Sequence, residues 1–366
     1  MDIFFDILGF IFWPIIIISL IVFFVKRRHK QMNPYAKSDP KQLSFSAEDI
    51  LSQLFILLAL FFLWVTALSL SRNFGNLLSW QTIFFIVAFL GLVLAYYLKM
   101  LLLLPLSLIG LTIWWTVQAV LWQVAEWSKV SDESASAIFV GLSLIALLFY
   151  GLGRLHEKER KYQRFSLVYI VIGLVSITVT LFILSTKPGI SFLGEMTRGG
   201  SLFGSMEVAM SLLVFLTALA ATLIYGAFKR LLSSYEIIAL IMLAGLFSVI
   251  AILPEQAMFI QTNSYYYGSR ELSATGMLWA LVLNLILFFE LLGIILLGYF
   301  RRESWMINLG VVFLSLFIIV KYFDWFFTFL DKSLFFITAG ILFFLVGWFM
   351  EKGRKYMIAN IKIKQS

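Results

Sequence analysis

The stretch Leu281–Phe300 reads LVLNLILFFELLGIILLGYF, and its composition decides the class of fold. It is apolar almost throughout, and its length is what a helix needs to cross the hydrocarbon core of a bilayer. Similar runs recur along the chain of 366 residues, of which 61% are hydrophobic and 13% are charged. A single soluble core does not bury that much apolar surface. The sequence therefore predicts an all-α, polytopic membrane helix bundle.

Eleven apolar segments are predicted to cross the membrane as one transmembrane domain that covers residues 1–366. Their approximate bounds are 3–25, 50–70, 81–98, 100–123, 135–153, 165–184, 206–228, 237–253, 277–300, 305–323 and 333–350. The basic cluster KRRHK follows the first segment, which is the reverse of a secretory signal peptide, so we interpret this segment as a retained span. Residues 351–366 are predicted to form a basic cytoplasmic tail.

The distribution of basic residues predicts the orientation of these spans. With the N-terminus outside and the side alternating at each span, 21 of the 28 Lys and Arg residues lie in cytoplasmic segments. Such an excess is typical of cytoplasmic loops. We therefore expect an external N-terminus and a cytoplasmic C-terminus.

The net charge of +8 is consistent with basic residues in cytoplasmic loops, and it does not by itself indicate nucleic-acid binding. We expect the lipid bilayer as a partner, with anionic lipid headgroups at the cytoplasmic Lys and Arg loops, and no nucleic acid. Protein partners are left open. Cysteine is absent, and the two histidines, His29 and His156, lie in basic loops and form no ligand set. Because no catalytic or nucleotide-binding motif is present, we predict no metal, no cofactor and no catalytic residue.

Glu290 is the one acidic residue placed in the middle of a predicted span. It lies ten residues before Phe300, which puts it about 15 Å deep, near the bilayer centre. A carboxylate at that depth costs at least about 2.5 kcal/mol. Three outcomes are open: a protonated carboxyl, a donor on another helix, or a water-filled cavity. The hydroxyl and amide groups of nearby spans are Ser176, Thr178, Thr217, Thr222, Asn284, Asn308 and Ser315.

The surroundings of Glu290 leave two interpretations. Gly293, one turn further, is expected to let another helix approach this face closely. The functional interpretation is a proton-linked or cation-linked site, or a contact for a polar substrate. The structural interpretation is a protonated Glu290 that hydrogen-bonds a neighbouring helix. Asn284 is a further candidate, although it lies about 120° away around the same helix.

A second polar cluster lies at the outer end of the tenth span. Lys321 and Asp324 are three residues apart, a spacing at which an ion pair can form, and they lie among aromatic residues typical of a membrane interface. The alternative interpretation is an ordinary anchored helix end. A further pattern, glycine followed three residues later by a basic residue, recurs at cytoplasmic span ends. Its copies are GLGR (151–154), GAFK (226–229) and GYFR (298–301), and they are consistent with a repeated helical hairpin.

The segment Gly298–Ile358 resembles the C-terminal part of a widespread family of bacterial membrane proteins known as a domain of unknown function. The residues that carry the resemblance are Arg301 and Arg302, Asn308 to Gly310, Lys321 to Asp324, Ser333, Gly340, and Arg354 with Lys355. Lys321 stands where the family pattern has arginine. The resemblance implies a protein of the bacterial inner membrane with about ten spans, and it implies no activity. It adds Asn308, Lys321 and Asp324 to the candidate functional residues.

Three functions follow as hypotheses. The first is a non-enzymatic membrane protein that handles a small solute, a lipid or a proton, with Glu290 as the protonatable group. The second is a scaffold or assembly factor for other membrane proteins. The third is a lipid-linked transferase that uses acidic residues at the outer face, such as Asp324 or Glu207.

Overall fold

A computed structural model of the chain describes residues 47–75, 78–126, 135–157, 162–186, 189, 205–252, 259–260, 271–326 and 332–363. Within these ranges only the backbone is described at 47–52, 123–126, 135–136, 250–252, 259–260, 271–272, 324–326, 332–335 and 360–363. The helices are α1 (Ala47–Asn73), α2 (Trp80–Leu98), α3 (Leu103–Glu126), α4 (Ala135–His156), α5 (Gln163–Leu184), α6 (Met206–Phe228), α7 (Ser234–Ile252), α8 (Ala274–Phe300), α9 (Ser304–Phe326) and α10 (Lys332–Ile363). Two short strands, β1 (Phe259–Ile260) and β2 (Glu271–Leu272), pair antiparallel before α8.

The helical prediction is confirmed for the described spans, and the strands β1 and β2 lie in a predicted connection between two of them. Each predicted span from 50–70 onward coincides with one helix, and the first, 3–25, lies outside the described residues. Among the described residues, nine helices are long and apolar enough to cross a membrane, and α7 contributes a shorter apolar stretch, Ser234–Val249. Large apolar side chains remain exposed along them, such as Phe289 at 64% and Phe344 at 73%. The chain is therefore a multi-pass membrane protein whose apolar helices contact the lipid bilayer.

The chain divides into two compact units. Unit 1 comprises residues 1–177 and 196–253, and unit 2 comprises residues 178–195 and 254–366. The last turns of α5 therefore belong to unit 2 and the rest of that helix to unit 1. The single transmembrane domain stays a prediction.

Helices α4 and α5 form the centre of unit 1. Every side chain of α5 from Phe165 to Val175 is buried. The two helices approach closely at Gly173, where a Cβ would lie 2.5 Å from the Tyr150 backbone nitrogen and 2.7 Å from the Ala146 carbonyl oxygen. Around them, α6 and α7 pack against α4, and α2 and α3 form a tightly packed hairpin. Glycine at position 173 thus sets the helix spacing on which this core depends.

The turn between α2 and α3 confirms the predicted break in the long apolar run at 98–100. Lys99 adopts a left-handed conformation with φ of 58°, and the Met100 N–H donates back to the Ala95 carbonyl at 2.9 Å. The side-chain carbonyl of Gln53 on α1 accepts from the Leu102 N–H at 2.9 Å. The backbone groups freed at this break therefore find partners inside the protein, as an apolar environment requires.

The same type of turn follows the last residues of α6 and α8. Leu231 donates to the Gly226 carbonyl and Glu303 to the Gly298 carbonyl, each at 2.8 Å, and the residue before each donor has positive φ. Those residues, Arg230 and Arg302, together with Lys99, are the non-glycine residues with positive φ in the described chain. The pattern is that of a Schellman turn with a basic residue where glycine is usual. The GAFK and GYFR copies of the sequence pattern share this turn, whereas GLGR lies within α4.

The left-handed position can be tested by comparing paired substitutions. Arg302→Gly is expected to be more stable than Arg302→Ala by about 1 kcal/mol, because alanine retains the strain of positive φ. At the neighbouring Arg301, whose φ is −82°, the order should reverse, since glycine is the poorer residue in a right-handed helical turn. Unfolding of the purified protein in mixed detergent micelles measures all four variants. Equal stabilities of the two Arg302 variants would contradict the assigned turn.

A buried ion pair joins α4 to the start of α7. Arg154 Nε lies 3.1 Å from Glu236 Oε1, which also accepts from the Tyr150 hydroxyl at 2.8 Å. The other oxygen, Oε2, accepts from both the backbone N–H and the hydroxyl of Ser233 at 2.9 Å. Arg154 and Glu236 are only 8% and 7% exposed. Ser233 and Glu236 also form a reciprocal capping box at the start of α7. Both oxygens of the Glu236 carboxylate therefore accept hydrogen bonds.

Loss of this carboxylate is expected to destabilise unit 1 strongly. Glu236→Ala should lower the free energy of unfolding by about 3 kcal/mol, because it removes the buried partner of Arg154 and leaves the more exposed Glu157 as the remaining described carboxylate that pairs with it. The double variant Arg154→Met with Glu236→Leu removes both charges and should lose clearly less. Detergent unfolding of the two variants beside the wild type gives the comparison, and a double variant less stable than Glu236→Ala would refute the argument.

Unit 2 is built on the hairpin of α8 and α9, against which α10 packs. Helices α8 and α9 approach each other closely at Gly298, where a Cβ would lie 2.8 Å from the Ile307 backbone nitrogen. The prediction that Gly293 provides it is wrong: among the described residues, nothing lies within 4 Å of a Cβ placed there. The reason is helix phase, since five residues turn the face by about 140°. Helix α10 continues past the predicted span end at Met350 to Ile363.

Candidate functional site

The predicted candidate residues of unit 2 lie at three levels along its helices. The middle level contains Glu290, near the centre of α8. Its Oε1 atom accepts a hydrogen bond of 2.9 Å from the hydroxyl of Thr178, in the last two turns of α5. The sequence offered several hydroxyl groups as partners, and the structure selects this one.

The environment of Glu290 is otherwise apolar. Its second oxygen, Oε2, is buried and has no hydrogen-bond partner in the part of the chain that the structure describes. The neighbouring α8 residues Leu287 and Leu291 are fully buried. No basic side chain within the described ranges forms an ion pair with Glu290. Among the described groups, the site therefore supplies one neutral donor and no positive charge to a half-buried residue whose Oε2 atom is buried.

A second level lies at the end of α5. The carbonyl oxygen of Ser185 accepts from Asn284 Nδ2 at 3.2 Å and from Lys321 Nζ at 2.5 Å. Ser185 directly follows the last residue of α5, so the ammonium lies at the negative end of the helix dipole. Asn284 Nδ2 also donates to the Ala280 carbonyl at 2.6 Å, while Asn284 Oδ1 is buried with no partner among the described residues. Two candidates from different helices thus meet on one backbone carbonyl.

A third level joins α9 to α10. Asn308 Oδ1 accepts from Arg354 at 3.0 Å, and Arg354 also forms a bidentate pair with Glu351 at 2.6 Å. Asn308 is 7% exposed, and its Nδ2 group is buried without a partner within the described ranges. The close contact of Gly298 with Ile307 places Asn308 beside the last turns of α8, beyond Glu290. Glu290 therefore lies between two amide-containing polar clusters.

Apolar layers separate these levels. Thr178, on α5, and Ser185, which directly follows α5, are seven residues apart, which is about 10 Å along the helix axis and nearly two full turns. Leu181 lies between them, and Leu287 lies between Asn284 and Glu290 on α8; both leucines are fully buried. Asn284 and Glu290 contact different groups, as their angular separation of about 120° predicts. The levels are therefore distinct sites along one set of helices, with no continuous polar contact among the described groups.

Some contacts of the candidate site were not predicted from the sequence. The spacing of Lys321 and Asp324 allows an ion pair, but the side chain of Asp324 lies outside the described part of the chain, so that pairing is untested. The role of Ser185 was missed because a backbone carbonyl leaves no trace in the sequence. The role of Arg354 was missed because it was placed in a solvated tail. No described group of three or more His, Asp or Glu residues is arranged to hold a metal ion.

Comparison with known proteins adds no relative to this picture. No family model, no curated protein and no solved structure matches the chain. The candidate site therefore depends on its own geometry.

The Thr178–Glu290 bond can be measured by a double-mutant cycle. Thr178→Val keeps the side-chain shape and removes the hydroxyl, so it should cost about 1–3 kcal/mol in the wild type by leaving both carboxyl oxygens without a donor. In a Glu290→Leu background the same change should cost almost nothing. Thr222→Val is the matched control, since among the described groups its hydroxyl bonds the Ala218 carbonyl of its own helix and no other helix. A Thr178 effect that is equal in both backgrounds would show that the bond is absent.

Proposed function

We propose that this protein lies in the bacterial cytoplasmic membrane and handles a small solute, a lipid or a proton, with Glu290 as its protonatable group. The proposal includes the eleven-span topology, with an external N-terminus, a cytoplasmic C-terminus and a single transmembrane domain. It also includes membership of the bacterial family that Gly298–Ile358 resembles. It assigns the chain no enzymatic activity.

The observation that carries the proposal is the incomplete bonding of Glu290. One oxygen has only the Thr178 hydroxyl, and the other is buried with no donor within the described ranges. An ionised carboxylate in such a place is costly, and a neutral carboxyl is far less so. Ionisation then requires a rearrangement that admits water or a cation. A group whose charge depends on its surroundings in this way is suited to couple proton binding to a conformational change.

The bonding of Arg154 and Glu236 provides the internal contrast. That carboxylate has a cation and three neutral donors, which is the arrangement of a permanently charged structural pair. Glu290 lacks a described cation and has a single donor. A purely structural role for Glu290 would be served better by a leucine or a glutamine. We therefore assign Glu290 to function, with Asn284, Lys321 and Asn308 as polar contacts on either side of it.

A lipid-soluble carbodiimide tests whether Glu290 is a protonated carboxyl group, because this reagent modifies neutral carboxyl groups within the membrane. Peptide mass spectrometry should find the adduct on Glu290, with faster reaction at lower pH. Glu351 is the matched control, since its carboxylate is half exposed and paired with Arg354, and it should react little. No adduct on Glu290 at acidic pH, or equal modification of Glu290 and Glu351, would overturn the proposal.

Vesicle measurements test the coupling itself. Vesicles that contain the wild-type protein should dissipate an imposed pH gradient faster than vesicles with Glu290→Gln, which removes the proton site and preserves shape. Glu290→Asp should retain part of the rate because it keeps a carboxyl group. An entrapped pH-sensitive dye measures the rates, and the amount of protein in the membrane controls for insertion. Equal rates for the wild type and the Gln variant would refute a proton-linked role.

A further inference from the structure

A groove of about 630 Å³ lies at the end of α2 in unit 1, far along the sequence from Glu290. It is lined by Leu92, Val93, Tyr96, Tyr97, Lys99 and Tyr162. Five of these six residues come from α2 or from the turn that ends it, and Tyr162 immediately precedes α5. The groove is thus bounded by secondary structure on both sides.

The chemistry of the groove changes in order along α2. Leu92 and Val93 provide an aliphatic start, Tyr96 and Tyr97 provide rings with hydroxyl groups, and Lys99 provides a positive charge at the end. Leu92 and Lys99 are seven residues apart, which is about 10 Å along the helix axis. An amphiphile with an anionic headgroup has the same order: hydrocarbon, polar ester region and negative charge.

The floor of the groove is held in place by hydrogen bonds. The Tyr96 hydroxyl lies 3.0 Å from His156 Nε2 and 3.0 Å from the Tyr169 hydroxyl. His156 Nδ1 lies 2.8 Å from the Leu152 carbonyl, which only accepts, so Nδ1 carries a proton and donates there. The Tyr96 ring also contacts the ring of Tyr162, with centroids 5.6 Å apart. Because these groups bond to one another, the floor is ordered before any ligand binds.

The rim offers donors that the described protein does not use. Lys99 is exposed, and its ammonium group forms no ion pair with any described acidic residue. Tyr97 is 81% exposed, and its hydroxyl has no hydrogen-bond partner within the described ranges. The left-handed turn at Lys99 fixes the backbone from which the ammonium extends. A cation and a hydroxyl two residues apart suit a phosphate group that lies above the tyrosine rings.

We propose that this groove binds one anionic phospholipid, with an acyl chain along Leu92 and Val93 and the phosphate at Lys99 and Tyr97. The aliphatic part of the lining favours a lipid over free phosphate. The unpaired positive charge favours an anionic headgroup over a zwitterionic one. Anionic headgroups are expected at the basic loops of a membrane protein in general. The groove assigns one such contact to a defined set of residues and does not depend on the role of Glu290.

Native mass spectrometry of the full chain in detergent tests this site with three additives: phosphatidylglycerol, phosphatidylcholine and inorganic phosphate. The wild type should bind one phosphatidylglycerol in preference to phosphatidylcholine, and inorganic phosphate should not compete. Lys99→Gln should weaken phosphatidylglycerol binding about fivefold and leave phosphatidylcholine binding unchanged. Val93→Trp should reduce the binding of both lipids by filling the aliphatic part of the groove.

Arg230→Gln is the matched control. Arg230 is an exposed basic residue with φ of 54° at the corresponding position of the α6 turn, and it is not among the residues that line the groove. Its replacement should leave phosphatidylglycerol binding unchanged, and unchanged melting temperatures show that all variants fold. Equal effects of Lys99→Gln and Arg230→Gln would overturn the proposal, because they would show only a general attraction to basic residues. Competition by inorganic phosphate would overturn the lipid assignment.

Discussion

A polar group that leaves water must find its partner within the protein, and this constraint shapes the structure at every level. Along the backbone it accounts for the helices, whose hydrogen bonds are made within each segment. At the helix ends it accounts for the turns that follow Ala95, Gly226 and Gly298, where carbonyl groups receive N–H donors after the helix has stopped. It also explains why Gln53 reaches from α1 to the start of α3.

The same constraint separates structural from functional charges. Arg154 and Glu236 leave water together, and each oxygen of the carboxylate is bonded, so this pair costs little and fastens two helices. Among the described residues, Glu290 has the Thr178 hydroxyl as its one hydrogen-bond donor. Glu236 and Glu290 therefore have different hydrogen-bonding partners, although both are glutamates within the same protein. One is stable as an ion, whereas the other favours a neutral form until its surroundings change.

The polar levels of unit 2 and the groove of unit 1 follow the same principle in different ways. In unit 2, Asn284 and Lys321 share the Ser185 carbonyl, and a backbone group at a helix end thereby holds side chains from two other helices. In the groove, Tyr96 is bonded to the protein, while Lys99 and Tyr97 extend outward. The bonded groups hold neighbouring helices together, whereas Lys99 and Tyr97 at the rim of the groove are available to the membrane.

Hydropathy along the chain determined by itself the apolar part of each described helix, including the break at Lys99, and it singled out Glu290 as the acidic residue in the middle of a predicted span. These are local properties, because the length and composition of a segment decide whether it stays in lipid. Only the tertiary structure decided that Thr178 is the partner of Glu290, that Gly298 and not Gly293 forms the close contact, and that Arg154 pairs with Glu236. These contacts depend on the rotation and axial position of each helix against its neighbours. Many small packing interactions set that geometry together, and no single segment encodes it.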